Sequence, residues 1–144
     1  MQVATYWPQN DLVLVVLTLD EPGGERISEN IYWQGREEAS QQKLNSLARQ
    51  NLTVSAHAVR QDGQTVVSVE LGNHGSVPAL AAKLTAVDPE GNRVLPVLYS
   101  DNYVTVLPGE PRRVNIRCPP GAQCSRIRIR GWNVEPAVVS IVGP

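Results

Sequence analysis

Cysteine and histidine, the side chains that most often bind zinc, are few in this sequence. The chain has two cysteines, Cys118 and Cys124, and two histidines, His57 and His74. A structural zinc site needs about four such ligands at short regular spacings, and these residues do not have that spacing. We therefore expect no metal site and no cofactor.

Patterns for acid–base or nucleophilic catalysis are also missing. No serine lies in a Gly-x-Ser-x-Gly setting, neither histidine has an acidic partner at a readable spacing, and there is no glycine-rich phosphate loop. Glycoside hydrolysis needs two carboxylates, for which Glu29, Glu70 and Asp101 are candidates. Each is equally explained as a solvated side chain, so we expect no catalytic residue in this chain.

A cluster of polar and aromatic side chains lies in "YSDNYVTVLPGEPRRV" at residues 99–114. In a structural interpretation, Asp101 and Asn102 hold their own loop through hydrogen bonds to the backbone. Tyr103 then places its ring in the core and its hydroxyl near the rim. In the alternative, these three residues and Trp132 contact a sugar or a neighbouring domain. The sequence favours the structural interpretation.

The second half of the chain is rich in arginine. Residues 1–72 hold five basic and nine acidic side chains (net −4), and residues 73–144 hold eight and five (net +3). If the strands on either side of the Pro119-Pro120-Gly121 loop pair with each other, one outer face collects Arg113, Arg117, Arg126, Arg128 and Arg130. Like charges facing each other across strands are destabilising. We call these five residues the arginine ridge. It is either a solvated face, whose charge repulsion is relieved by nearby acidic side chains, or a surface for an acidic partner or neighbouring domain.

The same assumed pairing bears on a disulfide between Cys118 and Cys124. If Val114, Ile116, Ile127 and Ile129 share one face, directly opposed residues have numbers with an odd sum. The sum for the two cysteines is even, which argues mildly against a direct cross-strand bridge. The sequence leaves open whether the cysteines are bonded.

Length and composition limit the classes of protein. The 144 residues suit one domain, or one domain with a fragment of another, and the proportions of hydrophobic (42%) and charged (19%) residues are those of a folded globular protein. A net charge of −1 argues against a nucleic-acid partner. No apolar run approaches the roughly 18 residues of a membrane span, and no export signal is visible. We expect neither membrane nor nucleic acid as a partner, and the location stays unknown.

The elements that must position these residues have mostly the sequence pattern of β-strands. About ten short runs with period-two alternation are separated by turns such as Asp62-Gly63. Only residues 37–49 read as a short helix or an ordered linker. The predicted fold class is an all-β antiparallel sandwich or barrel with at most one short helix.

Four stretches, in their order and spacing, carry a family resemblance over residues 12–134. They are "ENIYW" (29–33), "LNSL" (44–47), "LPVLYSDNYVTVLPGEPRRV" (95–114) and "GWNV" (131–134). The sequence resembles the C-terminal immunoglobulin-like region of family 2 glycoside hydrolases of the exo-β-D-glucosaminidase and β-mannosidase type. It departs from the family after Pro78-Ala79, where bulky aromatic residues are often found, and in the loop between the two cysteines.

The resemblance implies an immunoglobulin-like β-sandwich and a division of the chain. Residues 1–33 resemble the end of a preceding sandwich domain, residues 34–50 a linker or short helix, and residues 51–144 the immunoglobulin-like domain. In such enzymes the catalytic carboxylates lie in a separate barrel. The expected function is a non-catalytic accessory or scaffolding module whose partners are neighbouring glycosidase domains or another copy of itself. The alternatives are a carbohydrate-binding module for amino-sugar or mannose polymers, with weak oligosaccharide binding, and a self-associating or partner-binding protein.

Overall fold

The computed structural model describes residues 1–9 and 11–143. The chain forms two compact units, Met1–Ala48 and Arg49–Pro144. The break between them falls inside the 34–50 segment that the sequence suggests is a linker, and each unit is described by itself. Among the residues that the structure describes, no helix is long and apolar enough to cross a bilayer.

The first unit is a three-stranded antiparallel sheet with a short helical segment. Its strands are β1 (Gln2–Gln9), β2 (Leu12–Asp20) and β3 (Arg26–Gly35), in the order β1-β2-β3. In the central strand, period-two alternation buries Leu12, Leu14 and Val16, as expected for a strand with one buried face. Residues 21–25 form the turn between β2 and β3.

The predicted helix is present but short. It consists of α1 (Glu38–Gln41) and a 3₁₀ helix (Gln42–Ser46). The Ser40 hydroxyl donates to the Asp11 carboxylate at 3.0 Å, and Lys43 pairs with the same carboxylate. The hydrogen bond from Lys43 is the main reason that the pKa of Asp11 lies below its usual value. These contacts join the helical segment to the start of β2.

The second unit is an immunoglobulin-like sandwich of two four-stranded antiparallel sheets. Its strands are β4 (Leu52–Gln61), β5 (Gln64–Asn73), β6 (Ala79–Val87), β7 (Leu98–Tyr99), β8 (Val104–Val106), β9 (Arg112–Cys118), β10 (Arg126–Arg130) and β11 (Ala137–Ser140). One sheet has the order β4-β5-β9-β7 and the other β11-β10-β6-β8. The predicted all-β sandwich with one short helix is confirmed.

The core lies between these two sheets. The largest side chains with almost no exposure include Leu71, Leu84, Ile116, Ile127 and Ile129, which come from both sheets. Burying one such side chain contributes about 1.5–3 kcal/mol. The Asp62-Gly63 hairpin joins β4 to β5 as predicted, with both residues at positive φ (51° and 75°), a conformation that glycine adopts without strain.

The assumed pairing of β9 with β10 is wrong. β9 pairs with β5 and β7, whereas β10 pairs with β6 and β11, so the chain changes sheets at residues 119–125. Alternation shows which face of a strand is buried but not which strand lies beside it. Cys118 and Cys124 form a disulfide with Cα atoms 6.5 Å apart. The parity argument against this bond fails because it required two strands that are not neighbours.

Candidate functional site

The 100–103 loop is held against β6 by the side chain of Asn102. Its carboxamide oxygen accepts from the Leu84 backbone N–H at 2.8 Å, and its nitrogen donates to the Leu84 carbonyl at 3.0 Å. One oxygen of Asp101 accepts from the backbone N–H of Asn102 at 2.8 Å, and the other lies 3.2 Å from the Arg112 guanidinium. The predicted side-chain to backbone hydrogen bonds in this loop are therefore confirmed.

The predicted position of Tyr103 is wrong. This residue has φ of 59° and a side chain that is 59% exposed, so its ring lies outside the core. A left-handed backbone conformation breaks the alternation of the strand and turns the side chain outward. Tyr99 packs partly buried against the core instead, and its hydroxyl accepts from the Ala86 N–H at 3.1 Å.

Tyr103 and Trp132, which are far apart in sequence, meet at one shallow pocket. The pocket has a volume of about 260 Å³ and is lined by Ala81, Lys83, Tyr103, Arg130, Gly131 and Trp132. Trp132 is 57% exposed. Asp101 and Asn102 do not line the pocket, and their polar groups hold the loop. The four residues predicted as a contact site thus divide into two that form the pocket and two that support it.

Gly131, which lines the pocket, has no room for a side chain. A Cβ atom at Gly131 would lie 2.7 Å from Val134 Cγ2 and 2.8 Å from the Leu80 carbonyl oxygen, so no larger residue fits without a shift. Beside it, Ala81 has φ of 51° at the irregularity where the pairing of β6 with β8 changes register. This bulge lets Ala79 and Ala82 both face the core, as their burial shows.

Positive charge dominates the electrostatics of the pocket. The Lys83 ammonium lies 5.0 Å from the centre of the Tyr103 ring, within the range of a cation–π contact. The pKa of Tyr103 lies below its usual value, mainly because Lys83 hydrogen-bonds to its hydroxyl. The charges of Lys83, Arg130 and Arg93 add to this effect in the same direction. A phenolate, and by the same reasoning any anion, is favoured here.

The predicted arginine ridge is divided between the two sheets. Arg113 and Arg117 belong to β9, and Arg113 forms an ion pair with Glu70 at 2.8 Å. On the other sheet, Arg130 lies directly opposite Lys83 in the register of β10 and β6. We call Lys83, Arg126, Arg128 and Arg130 the cationic strip.

Within the described part of the chain, no carboxylate lies within ion-pair distance (4.0 Å) of a residue of the cationic strip. Arg126 and Arg128 instead donate to backbone carbonyls, Arg128 to that of Gly91 at 2.9 Å. Sequence reasoning missed Lys83, because its position opposite Arg130 depends on the pairing of β6 with β10.

A second pocket has a volume of about 430 Å³. Its polar side chains include Thr53, Glu70 and His74. The His74 Nε2 atom lies 3.2 Å from the Thr53 hydroxyl, and the Glu70 carboxylate is paired with Arg113. Among the described residues that line this pocket there is one carboxylate, whereas hydrolysis of a glycosidic bond typically uses two. Among the described residues no group of His, Cys, Asp and Glu is arranged to hold a metal ion.

Comparison with known families identifies the fold. Residues 30–134 match the family model described as the exo-β-D-glucosaminidase Ig-fold domain. The chain belongs to this family of Ig-fold domains. The match begins in β3 and ends just after β10, so it includes both Tyr103 and Trp132.

Similar proteins are much longer than this chain. The exo-β-D-glucosaminidase of Hypocrea jecorina is 31% identical over 87% of this chain and 16% of its own length, and that of Streptomyces avermitilis is 28% identical over 88% and 17%. The crystal structure of the Amycolatopsis orientalis exo-chitosanase superimposes with a TM-score of 0.80 at 26% identity, over 91% of this chain and 18% of that one. The chain thus spans less than a fifth of each of these relatives.

Proposed function

We propose that this chain is a non-catalytic accessory module that supports a larger glycosidase. The observation that carries the proposal is the extent of the similarity, which covers about nine tenths of this chain but less than a fifth of the exo-glucosaminidases and the exo-chitosanase. The Ig-fold domain that the chain contains is a sandwich and not a catalytic barrel. The chain is therefore equivalent to a supporting part of such enzymes.

The geometry of the described residues agrees with a supporting role. The lining of the larger pocket includes one carboxylate, and that of the pocket at Tyr103 and Trp132 includes none. A sandwich with a continuous core presents rigid faces against which another domain can pack. The side chains on these faces can form hydrogen bonds, charge interactions and aromatic contacts, which are the interactions by which proteins associate.

A hybrid enzyme tests the proposal. The region of the Amycolatopsis orientalis exo-chitosanase that superimposes on this chain is deleted in one version and replaced by this chain in another. We expect the deletion to lower the temperature at which activity is lost, and the replacement to restore at least part of the difference. A deletion that leaves both activity and thermal stability unchanged would contradict a supporting role.

The carbohydrate-binding alternative remains a prediction, and it has a direct test. Titration of the chain with chitosan and mannan oligosaccharides should give no heat of binding at millimolar ligand if the module only supports other domains. Saturable binding that is lost in the Trp132→Ala variant would favour the carbohydrate-binding role instead.

A further inference from the structure

The side chains around the Tyr103 and Trp132 pocket offer hydrogen-bond donors and almost no acceptors. The Lys83 ammonium and the Arg130 guanidinium can only donate. The Lys83 ammonium lies 5.0 Å from the centre of the Tyr103 ring, so positive charge also lies beside this residue. A ligand that fits this lining must therefore supply acceptors, and preferably negative charge.

The arrangement of charge here costs stability. Lys83 and Arg130 are directly opposed across two strands, and like charges in such a pair are destabilising. The remaining arginines of the cationic strip, Arg126 and Arg128, follow along the same strand at every second position. An anionic partner on this face would relieve the repulsion.

Sugars fit this lining poorly. Sugar hydroxyls can accept from these donors, but each also has an O–H that needs an acceptor such as a carboxylate or a free carboxamide, and the ammonium group of glucosamine can only donate. The nearby candidates are engaged, Asp101 with Arg112 and Asn102 with the backbone of Leu84. A cationic amino sugar would also be repelled by Lys83 and Arg130.

We propose that this pocket and the cationic strip dock an acidic segment of polypeptide. Carboxylates and backbone carbonyls are acceptors that match the donors of Lys83, Arg128 and Arg130. The exposed rings of Tyr103 and Trp132 flank the pocket, which accepts one apolar side chain of the segment. Aromatic residues and arginine are the types enriched in such interfaces.

The proposal rests on the proposed function in one respect, since a supporting module must contact other polypeptides. It can nevertheless fail separately. The hybrid enzyme reports whether the module supports a glycosidase, whereas peptide binding to the isolated chain reports only on this face.

The test measures binding of four probes to the full chain by fluorescence anisotropy or calorimetry. The first is a labelled peptide with glutamates around a central leucine, and the second replaces each glutamate by lysine. The third and fourth are polygalacturonate and a chitosan oligosaccharide. We expect the acidic peptide to bind most tightly and to weaken as salt is raised, because its contacts are largely electrostatic.

Variants of the chain test whether the acidic peptide binds at the pocket and the cationic strip. In the acidic-peptide titration, we expect the Lys83→Glu/Arg130→Glu double variant to lose about tenfold or more in affinity, and Trp132→Ala to lose several-fold. Arg117→Glu, on the other sheet, is a single charge-reversal control and should change affinity by less than about twofold. Circular dichroism and thermal unfolding verify that each variant is folded.

Three results of the peptide titrations would overturn the proposal. They are no binding of the acidic peptide at millimolar concentration, an equal loss of affinity in the Arg117→Glu control, and tighter binding of the lysine peptide. Preferential binding of polygalacturonate would assign the face to an anionic glycan, and preferential binding of the chitosan oligosaccharide would assign it to a sugar. Either preference would equally reject a polypeptide partner.

Discussion

Asn102 joins the 100–103 loop to the sheet on which the pocket is built. Its carboxamide makes one hydrogen bond to the N–H and one to the C=O of Leu84, so a single side chain satisfies both backbone groups of one residue in β6. Replacing it leaves two backbone groups of a buried residue without these partners. Such a loss costs more than the net value of the hydrogen bonds themselves.

We expect Asn102→Ala to lower the free energy of unfolding by about 1–3 kcal/mol. Asp101→Ala is the control, because it removes one hydrogen bond within the loop and an exposed ion pair with Arg112, which is worth at most about 1 kcal/mol. Urea denaturation of the two variants and the wild type measures the difference. An equal effect of both substitutions would contradict the role assigned to Asn102.

Tyr103 should ionise at lower pH than an ordinary tyrosine. Its folded-state pKa is depressed, so its phenolate is favoured in the folded protein and adds stability only as the pH rises through that pKa. Well below that pKa the phenol is protonated in both states, and the stability is unaffected. Titration of the phenolate absorbance should show one early transition that disappears in Tyr103→Phe and moves to higher pH in Lys83→Met. A titration that Lys83→Met leaves unchanged would show that Lys83 is not the cause.

The roles of single residues were only partly predictable from the sequence. The loop contacts of Asp101 and Asn102 followed from the tendency of these side chains to bond nearby backbone groups. The position of Tyr103 did not follow, because positive φ at a tyrosine is rare and leaves no mark in the alternation of the strand. Tyr99, four residues earlier, holds the position that the sequence assigned to Tyr103.

The connection between β9 and β10 decides how the charges are distributed. Because the chain changes sheets between these strands, Arg113 and Arg117 are separated from the three arginines of β10. The existence of the strands and their buried faces could be predicted from period-two alternation, as in β5 and β10. Their partners could not, since pairing is decided by contacts between strands that are distant in sequence.

The disulfide at this connection should contribute to stability. It closes a short loop where β9 of one sheet leads to β10 of the other, and the chain-entropy model gives about 2 kcal/mol for a loop of this size. We expect Cys124→Ser to lower the free energy of unfolding by that amount in oxidising buffer. Wild type in reducing buffer is the control and should unfold like the variant. If the oxidised wild type and the variant unfold alike, the bond does not stabilise the fold.

Each of the two units has its own charge and its own internal contacts. Residues 1–48 hold three basic and seven acidic side chains, and residues 49–144 hold ten and seven, which gives net charges of −4 and +3. The buried core cluster of the sandwich is made entirely of residues from the second unit. That second unit thus contains the complete core of an immunoglobulin-like domain.

We expect residues 49–144 to fold without the first unit. The isolated segment should give a strand-type circular dichroism spectrum and a single cooperative thermal transition, because its core is complete. Comparing it with the full chain by light scattering also tests the predicted self-association through the N-terminal strands. A non-cooperative transition would show that the sandwich depends on the first unit for its stability.

The central claim, that the chain supports a glycosidase without hydrolysing sugars itself, is tested most directly by its activity. The measurement is release of nitrophenol from 4-nitrophenyl β-D-glucosaminide by the purified chain, with the Amycolatopsis orientalis exo-chitosanase as the positive control. We predict no release above that in buffer alone. A nitrophenol-releasing activity that copurifies with the chain would contradict the claim if it is abolished by Glu70→Gln or by substitution of another carboxylate of the chain.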